Sequence, residues 1–184
     1  MYPYDNYIYA ILNIMNRLFL ALKAQLHDYN AIQSDFLGSI KGRWVTNENL
    51  HMTICYFGDT YSVDELLEKL PRLVEEIEPL SLKSLGYFEH NNILYAKVKS
   101  RNLERLQESI CSSFSLPKRK LFIPHITLVR IKDIHNKKAF KEMQKNYKDK
   151  KLGRVDTKLE LIQSHLSPNG ARYESIKRFE SAVF

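Results

Sequence analysis

Two histidines and two threonines stand out by their spacing. The chain reads His51-Met52-Thr53 inside "NLHMTICYFGD" (49–59). Seventy-four residues later it reads His125-Ile126-Thr127 inside "PHITLVRIKD" (124–133). A neutral imidazole near pH 7 accepts a proton from water, and a protonated one gives a proton to a leaving oxygen. Two hydroxyls can hydrogen-bond the non-bridging oxygens of a phosphate. The set suits hydrolysis of a phosphodiester, with no metal and no cofactor required. A metal reading would need a third ligand at workable spacing. None is evident: His27, His90 and His165 are isolated and read as surface or hairpin histidines. One His-x-Thr is a tripeptide that chance supplies. Two copies with matched apolar flanks, one in each half of the chain, carry more weight.

Strand geometry says how these residues must be presented. Residues i and i+2 of a strand share a face, so His51 pairs with Thr53 and His125 with Thr127. Met52, Ile54, Ile126 and Leu128 then point the other way, into a core. Two such strands related by a pseudo-two-fold axis would bring both imidazoles and both hydroxyls to one cleft.

The elements that must position them follow from periodicity. "RLFLAL" (17–22) reads as a strand, and residues 23–40 have a helical period of apolar positions. Strands are expected over 43–46 and 50–57. A helix is expected over 62–78, with Ser62 and Glu65 as a capping box and Pro71 kinking or shortening it. Residues 80–89 and 93–100 read as a hairpin, 101–114 as an amphipathic helix, and 121–131 as a strand. A very basic helix over 136–151 and a long hairpin over 154–166 and 171–183 close the chain. Helices alternate with hairpin-linked strands, which makes the class α+β rather than a doubly wound parallel sheet.

The chain has 184 residues, 44% hydrophobic and 27% charged, the balance of a globular protein with a real core. Its net charge of +7 favours polyanionic partners such as RNA. Cys55 and Cys111 match no zinc or C-x-x-C spacing, so a reducing cytoplasm and no disulfide are expected. The Tyr-rich start lacks a basic n-region and a cleavage site, and it is too short and polar to span a membrane. Met15 offers an alternative start, which would make residues 1–15 an N-terminal extension ahead of one bilobal domain over 16–184.

Four segments then resemble a known family, the two-histidine (2H) phosphoesterases, and within it the LigT-like RNA 2′,3′-cyclic phosphodiesterases. They are "NRLFLALK" (16–23), "RWVTNENLHMTICYFGD" (43–59), "FIPHITLVR" (122–130) and "LIQSHLSPNGARYESIKRF" (161–179). The resemblance implies two pseudo-symmetric lobes of antiparallel sheet and helices around a central cleft. It implies metal-independent hydrolysis of RNA 2′,3′-cyclic phosphate ends to a 2′-phosphate. His51 would give the proton to the leaving 3′-oxygen and His125 would activate water. Thr53 and Thr127 would hold the phosphate, with Arg130 adding positive charge. The near-symmetry of the residues gives no independent reason to choose acid from base. A cytoplasmic monomer acting on RNA ends, without a membrane partner, is the matching expectation. The alternatives on the same fold are a 2′,5′-phosphodiesterase, a 2′,5′ RNA ligase, and a non-catalytic RNA-end binder.

Arg130 poses a geometric problem. Counted from His125, positions 125, 127 and 129 share a face, and Arg130 falls on the other. It needs a bulge or a strand end to reach the phosphate. Of the aromatic residues near the motifs, Trp44 and Phe57 are expected in the core, leaving Tyr56 and Tyr173 as candidates to stack on a base. The run "KRK" (118–120) and the basic helix either steer RNA or form a plain solvated face.

Overall fold

The computed structural model describes residues 17–74, 77–117, 121–167 and 170–180. The expected N-terminal extension and the "KRK" run lie outside them. Strands β1 (Arg17–Leu26), β2 (Lys41–Trp44), β3 (His51–Gly58), β4 (Leu80–Phe88), β5 (Ile93–Lys97), β6 (His125–Asp133), β7 (Lys151–Ser167) and β8 (Gly170–Arg178) form one antiparallel sheet. Its order is β2-β6-β5-β4-β7-β1-β3, with β8 added to β7. The pairing of β4 with β7 is the centre of a pseudo-two-fold arrangement. On one side stand β5 and then β6, on the other β1 and then β3. Each His-x-Thr strand is therefore second outward from the centre. The sheet curls so that β3 and β6 come into contact, and just past β2 Val45 N–H donates to Leu128 O at 2.8 Å, extending the pairing of β2 with β6.

Helices α1 (Tyr29–Phe36), α2 (Val63–Lys69), α3 (Arg101–Ser113) and α4 (Lys137–Asn146) send apolar residues into the core, among them Ile32, Phe36, Leu66, Leu103, Ile110 and Phe140. Met52, Ile126 and Leu128 are fully buried there. Each such side chain is worth about 1.5–3 kcal/mol when buried. That cost of exposure dictates which face of β3 and β6 is left for His51, Thr53, His125 and Thr127. Beneath β3, Cys55 and Cys111 are thiols whose Sγ atoms lie 2.8 Å apart, and Gln107 Nε2 donates to Cys111 Sγ at 3.0 Å.

Several boundaries differ from the periodicity. Residues 23–26 continue β1, because Ala24, Gln25 and Leu26 pair with β7; the helix begins only at Tyr29. The helix expected over 62–78 ends at Lys69 and gives way to a 3₁₀ turn, Leu70–Arg72, where Pro71 lacks the N–H an α-helix would use. Its capping box is present: Ser62 Oγ accepts from Glu65 N–H, and Glu65 Oε2 accepts from Ser62 N–H at 2.8 Å. The strand expected from 121 begins at His125, and α4 ends at Asn146 instead of 151. Among the described residues, no helix is long and apolar enough to cross a membrane.

Tyr29 ties α1 to the junction of β2 with β6. Its hydroxyl lies 2.8 Å from Val45 O and 3.0 Å from Leu128 O, and burial pushes its phenol well above the ordinary range. Tyr29→Phe should destabilise the fold by about 1–2 kcal/mol, the cost of a lost buried hydrogen bond. A lower denaturant midpoint with an unchanged slope would register it; an unchanged midpoint would count against the tie.

Candidate active site

A bulge follows each His-x-Thr. On β3, Thr53 pairs with Ala21 and Cys55 with Leu20, so Ile54 is the extra residue. On β6, Thr127 pairs with Tyr95 and Val129 with Leu94, so Leu128 is extra. Two consecutive residues then face the core on each strand: Ile54 with Cys55, and Leu128 with Val129. The expected alternation through position 129 is thereby overturned, since Val129 is fully buried. The next residue outward is Tyr56 on β3 and Arg130 on β6, both exposed. The bulge solves the parity problem and returns Arg130 to the face of His125 and Thr127.

Both imidazoles are held alike. His51 Nδ1–H donates to Asn49 O at 2.6 Å, and His125 Nδ1–H donates to Ile123 O at 2.7 Å. A carbonyl only accepts, so Nδ1 carries a proton in each ring and Nε2 is the proton-transfer atom. Each ring is also braced by two aromatic side chains. Phe19 and Tyr173 lie 5.2 and 5.1 Å from His51, and Phe88 and Tyr95 lie 5.1 and 5.4 Å from His125. The same bracing appears twice because both strands occupy the same place in their halves of the sheet.

Burial and neighbouring charge act on His51. Burial lowers the pKa of His51, and the nearby charges of Lys23, His125 and Arg130 lower it further; the bond to Asn49 O opposes them. His51 is therefore neutral at pH 7 in the empty site. Lys23 stands directly across from His51 on β1. Arg43 stands directly across from Arg130, a like-charged cross-strand pair at the cleft.

A cleft of about 800 Å³ opens on the His51 side, lined by His51, Thr53, Arg130, Arg43, Tyr56 and Tyr173 among others. Three of the five residues expected from the sequence thus line one space. His125 and Thr127 stand outside that volume, on the same face of β6 as Arg130, and His125 is near enough to depress His51. Trp44 is half-buried, packing on the Tyr29 ring at 6.1 Å while also lining the cleft; Phe57 is in the core.

Sequence reasoning missed Lys23, Arg43, Phe19 and Gly170. Arg43 lies inside a quoted matching segment, so a signal existed. Gly170 has a φ of +129°, which suits glycine, and its backbone lies against the Arg43 guanidinium. Lys23 had no local signal: it faces His51 only through pairing across strands.

Comparison with known proteins gives a family and a fold. A family model described as the 2′-5′ RNA ligase superfamily matches residues 23–167. A protein of Methanocaldococcus jannaschii named RNA 2′,3′-cyclic phosphodiesterase is 32% identical over 176 residues, spanning 89% of this chain and 99% of that relative. One of Aquifex aeolicus with the same name is 28% identical, spanning 76% of this chain and 82% of the relative. In overall fold the chain is similar to E. coli LigT complexed with 3′-AMP. The TM-score is 0.67 at 21% identity, over 91% of this chain and 99% of that one.

The electrostatics carry a measurable consequence. In the ligand-free protein, ring-proton NMR should show His51 titrating below an ordinary histidine, and Lys23→Met should raise its pKa by removing a neighbouring cation. Because the folded pKa is the lower one, the unfolded chain binds more protons as pH falls below about 6.5. Neutral His51 thus contributes stability above that pH, and the contribution is lost as pH falls through its folded pKa. An unshifted His51 would remove the basis for both effects.

Proposed function

The chain belongs to the 2′-5′ RNA ligase superfamily, and from that premise we propose that it is an RNA 2′,3′-cyclic phosphodiesterase working by proton transfer between two histidines, without a metal. The observation that carries this reading is the matched pair of imidazoles, each with Nδ1 committed to the carbonyl two residues back. That arrangement fixes the tautomer and leaves Nε2 for chemistry in both rings. A module that only bound RNA ends would need hydroxyls and cations more than two such groups.

In the proposed reaction, His125 Nε2 takes a proton from water as its oxygen attacks phosphorus opposite the 3′-oxygen. The bond from phosphorus to the 3′-oxygen breaks. His51 Nε2–H gives its proton to that oxygen, leaving a 3′-hydroxyl and a 2′-phosphate. Exchange with solvent returns the proton on His125 and reloads His51. The low pKa of His51 in the empty site does not conflict with an acid role. An anionic phosphodiester brings a full negative charge beside the ring and favours its protonated form. Thr53 and Thr127 donate hydrogen bonds to the non-bridging oxygens. Arg130, with Arg43 across from it, balances the charge that develops on them.

A second reading uses the same atoms. If an RNA 5′-hydroxyl replaced water, the same proton transfers would make a 2′,5′ linkage, and the family description favours keeping it in view. Residues 16–184 act as one catalytic unit in this proposal, with 1–15 an extension, and the protein works as a cytoplasmic monomer.

An RNA with a 2′,3′-cyclic end should yield a 2′-phosphate in excess chelator, with a bell-shaped dependence of rate on pH. His51→Ala and His125→Ala should each lower kcat by about 10²–10⁴-fold while binding of RNA ends persists. Loss of turnover on chelation, or a 3′-phosphate product, would overturn the mechanism. A 2′,5′-linked product in a mixed-substrate assay would select the ligase reading.

A further inference from the structure

A row of lysines leaves the site on the His125 side. Lys97 on β5 is the direct cross-strand partner of His125, Lys83 on β4 is the partner of Lys97, and Lys151 on β7 is the partner of Lys83. Directly opposed residues share a face of a sheet, so the row lies on the face that carries His125. With strands about 4.8 Å apart, it extends roughly 14 Å from the histidine. Like charges placed opposite each other are destabilising, and none of these lysines makes an ion pair among the described residues.

The row meets a second groove, of about 890 Å³, in which Lys83, Lys97 and Lys99 of the sheet face Lys145 and Lys148 from α4 and the loop after it. Glu89 and Asp149 are the acidic residues of its lining, outnumbered by five lysines to two carboxylates. The loop is held there deliberately. Ser84 is the extra residue of a bulge on β4, with φ of +60°, a conformation that costs a non-glycine residue about 1 kcal/mol. In that conformation Ser84 N–H donates to Lys150 O at 3.0 Å, and Ser84 Oγ accepts from Asp149 N–H at 2.9 Å. The other half of the sheet has no such row. Lys23 faces His51, but it falls at a register shift against β7 and has no partner there.

We propose that this lysine row and groove bind the RNA chain upstream of the reacting end, so that the substrate is an oligonucleotide led away from the site past His125. The inference rests on the phosphodiesterase reading and adds a direction and a minimum substrate size to it. The backbone phosphates neutralise the opposed lysines, and each ion released makes binding salt-dependent.

The test compares an oligoribonucleotide of about eight residues bearing a 2′,3′-cyclic phosphate with the corresponding cyclic mononucleotide, using the full chain and the variant Lys83→Gln/Lys145→Gln/Lys148→Gln. The wild-type protein should turn over the oligonucleotide with the higher kcat/KM. The variant should lose about tenfold on the oligonucleotide and nothing on the mononucleotide, and a Lys→Arg version should keep the wild-type values. In parallel, fluorescence anisotropy with a 2′-phosphate-ended oligonucleotide reads binding without chemistry. The slope of log affinity against log salt should flatten by about 2 for three lysines on a single strand. Equal kcat/KM for both substrates, or an unchanged salt slope in the variant, overturns the groove. A flattened slope in a protein that cleaves neither substrate supports the groove and overturns the phosphodiesterase reading instead.

Discussion

A strand can show only alternate residues to one side, and this site asks for more than alternation allows. His51 and Thr53, or His125 and Thr127, obey the rule. The next group wanted on the same face does not, because the core claims the positions between. One extra residue after each threonine removes the conflict. Ile54 and Leu128 are placed out of register, two apolar side chains in succession go to the core, and position 56 or 130 turns back to the cleft. The rest of the site is arranged around that bulge. The carbonyl of Leu128 receives Val45 N–H, with the Tyr29 hydroxyl alongside, so the irregular residue is also where β2 and α1 are fastened to β6.

The two halves agree in support and differ in charge. Each histidine has a carbonyl two residues back and two aromatic side chains against its ring. Beyond the bulge the halves diverge: Tyr56 stands on β3 where Arg130 stands on β6. Each histidine has a lysine directly across from it, Lys23 for His51 and Lys97 for His125, but only Arg130 has a second arginine, Arg43, set against it. An empty site built this way holds a surplus of positive charge around a neutral imidazole. In the proposed reaction, an anionic substrate would relieve that repulsion and favour the protonated form of His51.

Symmetry also fails outward from the site, in a way that gives the cleft two different sides. On the His51 side Phe19 and Tyr173 line the cleft with Arg17, Arg43 and Arg130. On the His125 side the aromatic pair Phe88 and Tyr95 gives way toward β4 to a run of lysines. The central pairing of β4 with β7 joins these regions, because Lys83 and Lys151 face each other across it.

The fold class and the site pair were legible from particular residues. His51, Thr53, His125 and Thr127 could be assigned to strand faces because Met52, Ile54, Ile126 and Leu128 are too apolar to face water. The capping box at Ser62 and Glu65 is local chemistry and came through intact. Helix ends were poorly legible where pairing competes with propensity: residues 23–26 have a helical period yet extend β1, since unpaired strand groups of β7 lie beside them. Sequence alone thus determined which face each motif must show and which side chains could carry proton transfer, because both follow from residue type and a period of two. Tertiary structure alone decided that Arg130 reaches the cleft, that Lys23 and Arg43 stand where they do, and that burial pushes His51 toward its neutral form. Those outcomes depend on register between strands distant in the chain and on burial, and neither leaves a local trace in the order of residues.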